Sequence, residues 1–126
     1  MEGRLRISES EWVIMKALWN GGTPMTLGDI VKTLGSDNKW SYTTVRTLIM
    51  RLVDKDAVSI DKSSGVYLYS AKFKQDECVR DEVKSFISRV FDDSPARFVA
   101  ALVKDGELDE AEKSKILRIL SDIKEE

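Results

Sequence analysis

Trp40-Ser41-Tyr42-Thr43-Thr44-Val45-Arg46-Thr47-Leu48-Ile49-Met50-Arg51-Leu52-Val53-Asp54, with Val58-Ser59-Ile60-Asp61 and Val66-Tyr67-Leu68-Tyr69 behind it, decides the fold of this 126-residue chain. Val45, Leu48, Ile49, Leu52 and Val53 recur at i, i+3, i+4, i+7 and i+8, which predicts a helix from about Ser41 to Asp54 with one apolar face. Thr43, Thr44, Thr47, Met50 and Arg51 fall on the opposite face, and Arg46 lies at the border of the two. The two short stretches that follow are strand-like, and Lys62-Ser63-Ser64-Gly65 between them is a turn signal. They predict a β-hairpin over Val58–Asp61 and Val66–Tyr69 with a polar, cationic tip.

Two helices are expected upstream. Ser8-Glu9-Ser10-Glu11 has the form of a capping box, in which Ser8 and Glu11 each satisfy a backbone N–H of the other. Trp12, Ile14, Met15, Leu18 and Trp19 then supply a core-facing stripe, and Asn20-Gly21-Gly22 stops the helix. Thr26 with Asp29 is a weaker box opening a second helix, which carries Leu27, Ile30, Val31 and Leu34 and ends at Gly35. A short polar loop, Ser36-Asp37-Asn38-Lys39, leads to Trp40. Three helices and then a hairpin is the order of a winged helix-turn-helix. In such a unit the helix from Ser41 enters the major groove of DNA.

Helical periodicity returns from about Lys74. Val79, Val83, Phe86, Ile87, Val90 and Phe91 mark a fourth helix. Ser94-Pro95 is an N-cap with proline in the first helical position, opening a fifth helix through Phe98, Val99, Leu102 and Val103. Asp109 with Glu112 caps a sixth, with Ile116, Ile119, Leu120 and Ile123. Three amphipathic helices in about 55 residues cannot easily bury all their apolar faces alone. Pairing with a second copy is therefore expected, with Val83, Phe86, Val90, Phe98, Leu102, Ile116, Ile119, Leu120 and Ile123 at the interface. The expected fold class is mainly α with a small β-hairpin. The expected domains are a DNA-binding winged helix over residues 1–71 and a helical dimerisation domain over residues 72–126.

Composition narrows the chemistry. There is no histidine and one cysteine, Cys78. A zinc site of nitrogen and sulfur ligands cannot be built within one chain, and the commonest general base is missing. No nucleophile–base pair is visible, so neither an enzyme nor a cofactor is expected. A lone cysteine suits the cytoplasm, and no apolar run approaches the length of a membrane helix. Glu77 and Asp81 beside Cys78 disfavour a thiolate, so an unreactive thiol is expected. Net charge is −2, split as +1 over residues 1–71 and −3 over residues 72–126.

The exposed face of the helix from Ser41 carries the functional signal. Solvated faces usually hold Glu and Lys, which are good helix formers; this one holds three threonines, which are not. Threonine hydroxyls bond phosphates or bases, and threonine methyls touch thymine methyls. Arg46 and Arg51 reach phosphate or guanine, and no carboxylate intervenes before Asp54. Ser41, Tyr42, Thr43, Thr44, Arg46, Thr47 and Arg51 are the expected contacts to double-stranded operator DNA, with Lys62, Ser63 and Ser64 at the hairpin tip. Two alternatives remain open: a winged-helix regulator released by a small ligand, and a module that binds protein rather than DNA. A protein-binding face should be more apolar or aromatic than this one.

Ile7-Ser8-Glu9-Ser10-Glu11-Trp12 with Met15 and Leu18-Trp19, the Trp40–Leu48 block, and Arg51-Leu52 carry a resemblance over nearly the whole chain. The sequence resembles the penicillinase-repressor family of winged-helix transcriptional repressors, of the BlaI/MecI type. The resemblance implies a homodimer that blocks transcription from operators with TACA/TGTA-type half-sites. It carries Thr43, Thr44, Arg46 and Thr47 over as recognition contacts. It also implies inactivation by proteolysis in the fifth helix, downstream of a membrane sensor of β-lactams that acts as a sensor protease. Family members are commonly cut at Asn–Phe; the matching pair here is Ala101-Leu102. A copper-responsive branch carries paired cysteines near its C-terminus, and this sequence ends Ser121–Glu126 with none.

Overall fold

The structure is a computed structural model and describes residues 6–22, 24–35 and 38–123. Ser36 and Asp37 of the polar loop, and residues 124–126 of the cysteine-free ending, lie outside the described residues.

Local capping fixes where each helix of the first unit begins. The Ser8 hydroxyl accepts the Glu11 N–H at 3.2 Å, and the Glu11 carboxylate accepts the Ser8 N–H at 2.9 Å. Helix α1, Glu9–Gly21, starts there and closes on Gly22, whose φ of 71° would strain any side-chain-bearing residue. The Thr26–Asp29 pair is a complete capping box and opens α2, Leu27–Leu34. Ser41 caps α3, Tyr42–Asp54, by accepting the Thr44 N–H at 3.1 Å.

The three stripes meet as their spacing predicts. Ile14, Met15 and Leu18 from α1, Ile30 from α2, and Val45, Leu48, Ile49 and Leu52 from α3 are all buried in one cluster. Each such side chain contributes about 1.5–3 kcal/mol on full burial, so this cluster dominates the stability of the unit. Trp12 and Trp19 are half-buried and pack on each other with ring centroids 5.7 Å apart. Glu11 is 1 % exposed and pairs with Lys55 just beyond α3. Burial alone would raise its pKa. The Lys55 ammonium and the Ser8 N–H and hydroxyl outweigh that and hold it below the usual carboxylate range.

The hairpin differs from the sequence reading at its second strand. Strand β1 is Val58–Asp61 as expected, but β2 is Leu68–Ala71, not Val66–Tyr69. The register pairs Val58 with Ala71 and Ile60 with Tyr69. Met25, just ahead of α2, bonds the other edge of β2: its N–H donates to the Tyr69 carbonyl at 2.9 Å, and the Tyr69 N–H returns at 2.8 Å. That second partner brings Tyr69 to the core side. Val66 and Tyr67 are then left in the loop, where Gly65 turns the chain at φ 88°.

The chain divides into two compact units, residues 1–81 and 82–126. The division falls inside α4, Gln75–Phe91, ten residues beyond the expected boundary at 71/72. The Lys72 N–H donates to the Ala57 carbonyl at 2.9 Å, which ties the chain just beyond residue 71 to the first unit. The Trp19 indole N–H donates to the Phe73 carbonyl at 3.0 Å, and Cys78 is buried. Burial, then Asp81 and Glu77, push the Cys78 thiol pKa up, so the acidic neighbours seen in the sequence act together with a larger desolvation effect.

The second unit holds the rest of α4, then α5, Pro95–Asp105, and α6, Glu110–Asp122. Asp92 and Asp93, both at positive φ, end α4, and the Asp93 N–H reaches back to the Ile87 carbonyl. Phe86, Phe91 and Phe98 make a mutual cluster with centroids 5.4–5.8 Å apart. No residue of α6 is fully buried: Leu117 is 66 % exposed and Leu120 55 %.

Candidate nucleic-acid interface

Every residue expected on the reading face of α3 is exposed: Ser41, Tyr42, Thr43, Thr44, Arg46, Thr47 and Arg51. Hydrogen bonds organise the hydroxyls along it. Ser41 Oγ and Thr44 Oγ1 lie 3.0 Å apart, and the Thr47 hydroxyl donates to the Thr43 carbonyl at 3.0 Å. The Thr47 proton is thus engaged within the helix, which leaves its oxygen to accept and its methyl to make apolar contact. Arg46 and Arg51 form no ion pair among the described residues, and the first turn of α3 carries no acid. A set of ordered hydroxyls and methyls on one helix with two unpaired guanidinium groups can read base edges and hold phosphate.

The hairpin tip is more committed to its own turn than its composition suggests. Asp61 accepts from both the N–H and the hydroxyl of Ser63, at 2.9 and 2.7 Å, and these bonds lower its pKa. The Ser64 hydroxyl donates to the Val66 carbonyl at 3.2 Å. Lys62 stands 5.1 Å over the Tyr67 ring. Both serine hydroxyl protons therefore build the loop, and the Lys62 ammonium rests on the Tyr67 ring.

The structure brings together residues that lie apart in the sequence reading. Tyr42 and Arg46 of α3 share a groove of about 470 Å³ with Thr26, Leu27 and Gly28 at the start of α2 and with Val66, Tyr67 and Tyr69 of the hairpin. In the sequence Tyr67 and Tyr69 stand out only as strand residues. Nothing local marks them, because their role depends on the β2 register and on the Met25 pairing.

Among the expected interface residues, Val83, Phe86, Val90, Ile119, Leu120 and Ile123 are exposed, while Phe98, Leu102 and Ile116 are half-buried. Phe86 and Phe98 already meet Phe91 within one chain. Val99, Val103 and Leu117 are exposed as well, though none is among the residues expected at the interface. Ala101 and Leu102 are half-buried in the interior of α5. Among the described residues no cluster of three or more His, Cys, Asp or Glu could hold a metal, and no helix is long and apolar enough to cross a membrane.

Three helices, a hairpin and a hydroxyl-rich third helix define a winged helix-turn-helix followed by a helical unit. The penicillinase repressor family model matches residues 7–122. A penicillinase repressor of Staphylococcus aureus is 30% identical over 120 residues, covering 95% of this chain and 94% of that protein. The methicillin resistance regulatory protein MecI of Staphylococcus aureus is 25% identical over 115 residues, covering 91% and 93%. The solution structure of Bacillus licheniformis BlaI, a monomeric form in complex with the blaP half-operator, aligns with a TM-score of 0.52 and 26% identity. That alignment covers 61% of this chain and 93% of the other. The chain belongs to the penicillinase repressor family, which comprises DNA-binding transcriptional repressors and not enzymes.

Proposed function

We propose that the chain is a sequence-specific repressor that binds a palindromic operator as a homodimer, with α3 of each protomer in the major groove. The observation that carries this reading is the α3 face: exposed Ser41, Thr43, Thr44 and Thr47 hydroxyls together with Arg46 and Arg51, which form no ion pair among the described residues, and no acid in the first turn. The similarity to a BlaI solved on a half-operator supports the choice of partner. In this reading residues 1–71 contact DNA and the helices beyond them join the protomers, in the cytoplasm where the operator lies. Leu117, Ile119, Leu120 and Ile123 support pairing, since a contiguous exposed apolar face on a small unit is costly unless covered. A two-fold dimer doubles the contacts and matches half-sites one helical turn apart.

The names of the relatives support genes of the β-lactam-resistance type as targets. Release by a sensor protease at Ala101-Leu102 requires α5 to open first, because a protease needs extended chain and this bond sits half-buried mid-helix. Cleavage there would cut the dimerising unit and remove the second half-site. Hydroxyl-radical footprinting on the chain's own promoter region tests the proposal. We expect two protected half-sites about 10 base pairs apart, or a multiple of that, with two chains per duplex. Protection by a single chain at one half-site would overturn the dimer, and no protection would overturn the repressor.

A further inference from the structure

The groove between α2, α3 and the hairpin has a lining that phosphate contact explains only in part: Thr26, Gly28, Arg46 and the tyrosine hydroxyls suit phosphate, the ring faces and aliphatic walls do not. Six of its residues set its chemistry: Tyr42, Tyr67, Tyr69, Leu27 and Val66 give three aromatic rings and two aliphatic walls, and Arg46 gives one cation. No carboxylate lines it. Its volume of about 470 Å³ lies in the range of small-molecule sites, roughly 300–1,000 Å³, which are mostly apolar with a few placed polar groups. A backbone phosphate would engage Arg46 and the hydroxyl groups and leave the ring faces of the tyrosines and the Leu27 and Val66 walls uncovered.

Part of the site is fixed in advance. Tyr69 is 4 % exposed and held on both edges, by β1 and by Met25. Tyr67 sits against Lys62. Tyr42 and Tyr67 are still 56 % and 49 % exposed, so a ligand covering their rings would remove apolar surface from water.

We propose that this groove is an effector site for a small planar aromatic monocarboxylate, its ring between the tyrosines and its carboxylate on Arg46. The regulatory part rests on the reading of α3 as the DNA-contacting helix: Tyr42 and Arg46 cannot serve effector and operator together, so occupancy releases DNA.

Benzoate is the probe, titrated into the 15N-labelled full-length chain without DNA, with benzamide and inorganic phosphate as parallel arms. We expect saturable shifts confined to residues 26–28, 42–46 and 66–69, and at least about tenfold weaker binding of neutral benzamide. Tyr67→Ala should weaken benzoate about tenfold, while Tyr67→Phe, which keeps the ring, should bind as the unmodified chain does. Saturating benzoate should then displace a fluorescent promoter duplex. Non-saturating or scattered shifts overturn the site. Phosphate shifts equal to those of benzoate overturn it in favour of a seat for DNA backbone. Binding without displacement overturns the effector role. Because the titration contains no DNA, its failure leaves the repressor reading standing, and failure of DNA binding leaves the titration readable.

Discussion

Leu120→Ala should weaken self-association without unfolding the winged helix. Leu120 is 55 % exposed in the single chain, and no residue of α6 is fully buried. Fully burying a leucine side chain contributes about 1.5–3 kcal/mol. Covering the exposed half contributes about 0.8–1.6 kcal/mol, of which alanine's remaining methyl keeps a small part. A two-fold interface counts the change twice, giving about 1.5–2.5 kcal/mol per dimer. That corresponds to roughly 10- to 70-fold in the dimer dissociation constant. Sedimentation equilibrium over a concentration series measures it, with urea unfolding as a check on the fold. The residue lies in the second unit and contributes nothing to the Ile14–Leu52 core, so the unfolding of the first unit should not move. An unchanged dimer constant, or a full-length chain that stays monomeric at micromolar concentration, would refute the assignment of α6 to the interface.

Two further outcomes follow from single side chains. Glu11→Gln should cost about 1–2 kcal/mol at neutral pH, at the low end for a buried ion pair because Lys55 is a third exposed and can turn to water. The folded-state pKa of Glu11 is lowered, so the difference from the unmodified chain should be complete above the unfolded value of about 4.3 and vanish as pH falls through the folded value; urea unfolding at several pH values reads it. Thr47→Val should retain operator affinity and Thr47→Ala should lose about 1 kcal/mol in a filter-binding assay, because the Thr47 proton is already engaged by Thr43 and the methyl is left to meet the base.

The first seventy residues are legible in the sequence because each boundary carries its own local chemistry. Ser8–Glu11, Thr26–Asp29 and Ser41 act within one turn, and Val45 to Val53 fix the core face of α3 by spacing alone. The second strand is not, because either phase, Val66 with Leu68 or Tyr67 with Tyr69, alternates acceptably. Met25, more than forty residues earlier in the chain, makes the choice. The unit boundary shifts for the same kind of reason, since the Trp19–Phe73 bond spans 54 positions. In the candidate site the α3 face is readable from composition. The engagement of Ser63 and Ser64 in their own turn is not, and neither is the meeting of Tyr42, Arg46 and Tyr67, since each depends on loop geometry.

If the α3 face holds DNA, binding neutralises phosphates and releases counterions, so affinity must depend on salt. Fluorescence anisotropy would follow the full chain binding its own promoter duplex and a scrambled duplex as salt is raised. Log affinity should fall linearly with log salt for both, with the promoter duplex held more tightly. Arg51→Ala should weaken both duplexes alike and make the slope shallower by about one unit for each phosphate that each half-site no longer has neutralised. A chain with no salt-dependent affinity for any duplex from its promoter region would contradict the account and turn the α3 face into a site for protein.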